Sequence, residues 1–433
     1  ENGILAGAGA HDLEILDCVF EGNCASTPWA AGFMALRDTS EIHLEGCSAR
    51  DNAGFGFASD GTPRVRHLTL SSCVSYRNGN DGFGFYADRA YVRGCISHGN
   101  GWNLADNGDG FDFLHSTDVI FDRCTAWGSD AAPFKVGAGY NVFTNCIGAD
   151  TQAVGYGRYF GITLGVAARG TVYNCSVRGV CLMGDGPYLV KNNIIRKNGA
   201  SSAISVALYC GSPSVSLDSD RNLFLPDVRY GVSFTPLVHT GPDVGGTDYA
   251  SLAEWQATGQ DTHSSSSVAS PFVDERVPAL DFRLKAGCAA IDAGTSDGAP
   301  AGDFLGCGRW DDPSMENTGA GARVFVDLGA CEYLTAEADT DGDGIPDYDE
   351  IAYVGAALPC LSDADLDPMD PDTDGDGVSD LIERTCPGGD PLLDTVVPRA
   401  FCVIFQPADA SRVPGYVPGS GLPFAAARGH GWL

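Results

Sequence analysis

A cysteine that recurs every 22 to 29 residues, a short GFxF-type strand ahead of it, and intervening turns of Gly, Asn and Asp predict an all-β fold. Two or three short alternating strands per repeat cannot bury their apolar face alone, so the repeats must stack. The expected architecture is a right-handed parallel β-helix (β-solenoid) over residues 1–235. A β-propeller needs about 40 or more residues per blade, which these spacings do not reach.

The repeats run in order through LEILDCVFEGN, IHLEGCSARDN, LTLSSCVSYRN, AYVRGCISHGN, VIFDRCTAWGS, NVFTNCIGADT and TVYNCSVRG, centred on Cys18, Cys47, Cys73, Cys95, Cys124, Cys146 and Cys175. In YLVKNNIIRKNG, Asn193 takes the cysteine position. Their separations of 29, 26, 22, 29, 22 and 29 residues predict coils that share strands while their loops differ. Aligned Cys and Asn side chains then form internal ladders about 4.8 Å per step, with the cysteines as packed thiols. Among the remaining cysteines, Cys288 with Cys307 and Cys360 with Cys386 lie in loop-rich stretches where a disulfide would help.

Residues 236–335 follow the coils and contain a short helical stretch (DYASLAEWQATGQDTH), a DFRL strand, an AIDAG turn and a VDLGACEY ending. These elements together resemble the region after the coils in many bacterial secreted right-handed β-helix proteins. The resemblance covers residues 249–333 and implies architecture, not chemistry.

Charge is concentrated near the C-terminus. The 26 Lys and Arg against 57 Asp and Glu give 26 − 57 = −31, and residues 339–383 hold 15 acids and no Lys or Arg. Such a balance repels nucleic acid. With 44% hydrophobic residues the chain has enough apolar material for a core. No apolar run reaches the roughly 18 residues of a membrane span. Lacking an initiator Met and a leader-like segment, it reads as a mature or trimmed product, secreted to the extracellular space or cell surface.

Within residues 336–390, DTDGDGIPDYDE and DTDGDGVSDLIE share one spacing. Each offers oxygen at loop positions 1, 3, 5, 9 and 12, a backbone carbonyl at position 7, and Gly at position 6 for the sharp turn. The expected ligands are Asp339, Asp341, Asp343, Ile345, Asp347 and Glu350, and Asp372, Asp374, Asp376, Val378, Asp380 and Glu383. Ca2+ takes about six to eight oxygens, so two tandem loops of this kind read as structural calcium sites; an acidic solvated linker is the alternative. The segment resembles bacterial thrombospondin type 3 repeats, and the resemblance implies a calcium-binding repeat segment. Residues 391–433 form a tail without a readable role.

On the coils, aligning NDGFGF with GDGFDF puts Asp81 in register with Asp109, and Asp112 outward between inward Phe111 and Phe113. Lys135 of PFKV, one of four lysines, falls in the register of Asp112, and Arg158 is placed in the column of Asp81 and Asp109. Asp106 is a further candidate ligand. Such a set suits β-elimination on a uronate: calcium held by carboxylates and an arginine neutralise the sugar carboxylate, and a lysine of lowered pKa removes the weakly acidic C5 proton. These coils resemble family 9 polysaccharide lyases, whose DGF, DDGWDL and GFKLGG segments look like NDGFGF, GDGFDF and PFKVGAG here. The resemblance implies calcium ligation by Asp81, Asp109 and Asp112 and the base role for Lys135; Gly108 stands where the pattern has a further Asp. Three readings stay open: a calcium-dependent polyuronate lyase whose partner is an acidic polysaccharide or cell-surface glycan, ordinary corner Asp and Gly with a solvent-facing lysine, and a fibre or adhesin subunit joining other copies of itself.

Overall fold

The computed structural model describes residues 2–23, 29–62, 64–102, 108–149, 160–197, 206–225, 237–242, 245–276, 280–335, 338–351, 366–385 and 390–392, with two short strands at Val403–Ile404 and Val417–Pro418. It folds as two units, one holding the described residues up to Phe304 and Arg309–Tyr333, the other Leu305–Gly308 and the described residues from Leu334 onward.

The first unit is a stack of parallel coils. Strands pair with their equivalents one turn on, Ile4–Ala6 with Ala31–Ala35, then Phe55–Ser59, Phe83–Gly84, Phe111–Asp122, Phe134–Thr144 and Ile162–Tyr173. One sheet has 17 strands, the other ten. A single left-handed residue bends each coil from one sheet to the other, immediately before the ladder position: Asp17, Gly46, Ser72, Gly94, Arg123, Asn145, Asn174, Asn192 and Arg221 all have φ between 49° and 59°. One reversed residue per turn is the cheapest sharp corner a strand can make, and Asn, Asp and Gly accept it with least strain.

Three inward ladders fill the core. Phe57, Phe83, Phe111 and Phe134 stack face to face with ring centroids 5.0, 4.7 and 5.0 Å apart. The ladder cysteines are thiols, buried from Cys47 through Cys175, donating to backbone carbonyls such as Ile15 and Glu45 from Cys47. Burial pushes the thiols of Cys124, Cys146 and Cys175 well above their ordinary value, so they pack as inert hydrophobes. Asn193 continues this line as expected: its Oδ1 accepts from the Cys175 N–H at 2.9 Å, and its Nδ2 donates to Asn222 at 3.0 Å. A third ladder, Asn52 to Asn78 to Asn100, runs at another corner through 2.9 and 3.0 Å amide bonds.

Two expectations change. The parallel stack continues past residue 235, since Leu208–Cys210 pairs with Val238–Thr240 and Leu223–Leu225 with Ser265–Ser266. The helix Leu252–Gln256 therefore sits inside the last coil, where Trp255 is 4% exposed and Asp261 accepts from both its indole N–H and Asn222. The Trp–Asp pair thus ends the line of Cys175, Asn193 and Asn222 and closes the apolar core. Second, Cys288 and Cys307 are both thiols, so the bridge considered for them is not formed; Cys24, Cys360, Cys386 and Cys402 lie outside the described residues.

The segment after the coils is held by the left-handed corners. Asn145 donates to Gly302 O, Asn174 to Asp327 O and Gly329 O, and Asn192 exchanges two bonds with Thr295. Corner residues chosen for backbone shape thus also anchor the AIDAG and VDLGA turns. Among the described residues no helix is long and apolar enough to cross a membrane.

Candidate functional site

The register brings four of the predicted residues together. Phe83 pairs with Phe111 and Gly84 with Asp112, which places Asp81 beside Asp109; Asp112 pairs in turn with Lys135. Strand alternation buries Phe111 and Phe113 completely and turns Asp112 outward. Carboxylate oxygens of Asp81, Asp109 and Asp112 all lie within 4.8 Å of one another.

Each carboxylate is pinned through one oxygen. Asp81 Oδ1 accepts from the Asp109 N–H at 2.8 Å, Asp109 Oδ1 from Ala132 N–H at 2.7 Å, and Asp112 Oδ1 from Leu114 N–H at 2.8 Å. The first two bonds reach from one coil to the next, so the stack itself aims these side chains. Lys135 Nζ lies 3.0 Å from Asp109 Oδ2.

Asp81 and Asp109 are 3% and 1% exposed. Burial, then the neighbouring carboxylates, push Asp81 well above the usual range and Asp109 up to about 6; Lys135 pulls against both. The carboxylates around Lys135 pull it upward. Burial alone would lower it, but Asp109, Asp112 and Asp81 outweigh burial and hold the ammonium above the ordinary lysine value.

Glycines make the close approach possible. A Cβ on Gly84 would come within 2.9 Å of the Phe55 ring and 3.2 Å of Asp81 Oδ2. At Gly108 a Cβ would meet Gly101 Cα at 2.1 Å and Asn100 O at 3.0 Å. The missing acid of the resembling pattern is therefore excluded by backbone packing between two turns.

Arg158 and Asp106 lie outside the described residues. The pairing of Phe134 with Ile162 puts Phe160 in the column of Asp81 and Asp109. Two aromatics were missed. Phe55 borders Gly84, and Tyr86, stacked on His115 at 4.6 Å, is raised by burial and then by Asp112, Asp60 and Asp81. Phe55 was legible only as one more strand residue of a GFGF repeat.

In the second unit the two acidic loops form similar knots. Oxygens of Asp339, Asp341 and Asp343 converge within 4.8 Å, as do those of Asp372, Asp374 and Asp376. Both oxygens of Asp347 and of Asp380 accept from the N–H and hydroxyl of Thr340 and Thr373, respectively, which closes each loop on its own start. Glu350 is 3% exposed, and neither of its oxygens has a partner; the same holds for one oxygen each of Asp341, Asp372, Asp374, Asp376 and Glu383. Burial, then Asp341 and Asp343, push Glu350 up to about 9, and Glu383 rises to about 7 by burial and then Asp374. Ile345 and Val378 sit at position 7, their N–H groups bonded to Asp343 and Asp376. The loops also touch: Asp343 Oδ2 accepts from Leu381 N–H at 3.1 Å.

These features define the class. Residues 62–199 match the family model for the right handed beta helix region, and residues 339–355 and 372–393 match the bacterial TSP3 repeat. The fold is a right-handed parallel β-helix followed by bacterial TSP3 repeats. Among solved structures, the crystal structure of pectate lyase Pel9A is similar over 73% of this chain and 77% of that chain, at 17% identity and a TM-score of 0.44. No curated protein matches the chain.

Proposed function

We propose that this protein is a calcium-dependent lyase of acidic, uronate-containing polysaccharide, working by β-elimination on the outer face of the coils. One observation carries the reading: three pinned carboxylates converge within 4.8 Å while the amine of Lys135 stands 3.0 Å from Asp109. Two buried acids and a lysine beside them make a costly arrangement for a mere structural corner.

The donor set fits a hard cation. Asp81, Asp109 and Asp112 present oxygen only, and each keeps one oxygen fixed by a backbone N–H. Bound Ca2+ supplies the charge that neutralises a substrate carboxylate and acidifies the neighbouring C–H. Lys135 is the base that accepts the C5 proton. As the ammonium it has no lone pair, and the field of the three carboxylates opposes its deprotonation. Base function therefore requires that field to be balanced, which makes activity depend on both cation and alkaline pH. Phe55, beside Gly84, offers an apolar edge against which a sugar ring packs.

In the second unit, the buried unpartnered oxygens of Asp341, Glu350, Asp372, Asp374, Asp376 and Glu383 fit the same chemistry, in a structural role. Location outside the cell, where calcium is abundant, suits both sets.

The test is the ultraviolet absorbance of unsaturated product on a panel of polyuronates, with calcium, for wild type and Lys135→Ala. The expected loss on removing the base is about 100- to 10,000-fold. Absence of product from every polyuronate with the wild type, or equal rates for the two proteins, overturns the reading.

A further inference from the structure

The AIDAG turn carries a carboxylate that neither the coils nor the acidic loops account for. Asp292 is fully buried, and both of its carboxylate oxygens lack a hydrogen-bond partner. Its backbone, by contrast, is completely engaged. The N–H donates to Asp327 Oδ1 at 2.7 Å, and the carbonyl accepts from the N–H and hydroxyl of Thr318 at 2.9 and 3.3 Å. With φ at +53°, the residue is locked in place and cannot swing its side chain to water by a small backbone shift.

The nearest charges make the burial worse. Burial first, then Asp311 and Asp312, push the Asp292 carboxyl up to about 6, with the Asp312 N–H acting weakly the other way. Asp312 is itself 4% exposed, with Oδ1 accepting from Ser314 N–H at 2.9 Å. Among the described residues no ion pair reaches Asp292, Asp311 or Asp312. Arg221 comes close but spends its guanidinium on the carbonyls of Ala293 and Thr318 at 3.1 and 2.9 Å. A proton would not relieve Asp292: the neutral acid is a donor that needs an acceptor, and neither oxygen has a hydrogen-bond partner. A cation would satisfy both oxygens of Asp292 at once.

We infer that Asp292, with Asp312 beside it, holds a divalent cation of the hard, oxygen-seeking kind, Ca2+, at a site separate from the coil cluster and from the two acidic loops. Its role is to fasten the AIDAG turn to the WDD segment at Trp310–Asp312.

The test uses the full chain, equilibrated against calcium and counted by elemental analysis, as wild type, Asp292→Asn and Asp312→Asn. Each variant is expected to bind about one ion fewer per chain than wild type, with an unchanged circular dichroism spectrum. Equal ion counts overturn the site. Because Asp292→Asn could also disturb folding, wild-type crystals soaked in Tb3+ give a second, independent reading. An anomalous peak between Asp292 and Asp312 supports the site. Peaks in residues 339–350 and 372–383 with none there, or a water in that position, refute it.

Discussion

Replacing Gly108 by Asp restores the acid that the resembling lyase pattern carries, and the structure predicts that it damages the protein instead of adding a ligand. A Cβ at that position lies 2.1 Å from Gly101 Cα and 2.7 Å from Gly101 N, both backbone atoms with no rotamer to give way. Ordinary contact needs more than an ångström of separation between the two turns. That movement strains the Ala131 N–H to Gly108 O bond at 2.9 Å and the Gly101 N–H to Asn78 O bond at 2.9 Å. Two weakened backbone bonds at about 1 kcal/mol each, with overpacking of about 1–3 kcal/mol, give a loss on the order of 3–5 kcal/mol. For a unit of this size that corresponds to roughly 5–15 °C in the melting temperature. Differential scanning fluorimetry of the full chain in calcium measures it, alongside lyase rate. The displaced turn leads directly into Asp109, so activity falls with stability. An unchanged melting temperature with a higher rate or tighter calcium binding would show that the glycine is a lost ligand position and not a packing requirement.

Other outcomes follow from the same geometry. Phe111→Ala opens a cavity in the middle of the phenylalanine stack and costs about 3–5 kcal/mol, whereas Asp112→Ala on the outward face of the same strand changes stability by under about 1 kcal/mol while removing a candidate ligand; denaturant melts and rates on both variants separate core from site. Stripping divalent cations from the chain speeds hydrogen exchange in residues 338–351 and 366–385, where buried acid oxygens lack partners, and calcium restores protection; equal exchange with and without calcium contradicts a structural ion there. Arg309 and Glu332, 2.7 Å apart with side chains 2% and 0% exposed, form a buried pair, so Arg309→Met costs about 3–5 kcal/mol. Burial raises Glu332 to about 7 even against the pull of Arg309, so its folded value exceeds its unfolded one; the acid's contribution is present at low pH and lost as pH rises through about 7. The Arg309→Met penalty is therefore larger above pH 7 than near pH 5, and melts that show the opposite trend contradict the burial of this pair.

The coils were legible because a solenoid writes its period into the chain. Each repeat places the same residue types at the same corner, so Cys124, Cys146, Cys175 and then Asn193 could be aligned from sequence and are found in one ladder. The same alternation placed Asp81, Asp109, Asp112 and Lys135 in one neighbourhood, since neighbours across coils are neighbours in register. Beyond Ala149 only the pairing of Phe134 with Ile162 fixes the register, and it puts Phe160 in the column of Asp81 and Asp109. The acidic loops were readable as local motifs, yet the use of Asp347 and Asp380 as clamps on Thr340 and Thr373 depends on side-chain direction, which spacing does not encode.

The sequence by itself determined the stacking, the ladder residues, the two acidic loops and the net charge, because these rest on local periodicity and composition. Only the tertiary structure decided the protonation balance of Lys135, the exclusion of a side chain at Gly108 and the isolation of Asp292. Each of those depends on how closely segments distant in the chain approach one another. Burial and short-range electrostatics follow that distance steeply, and a repeat pattern carries no record of it.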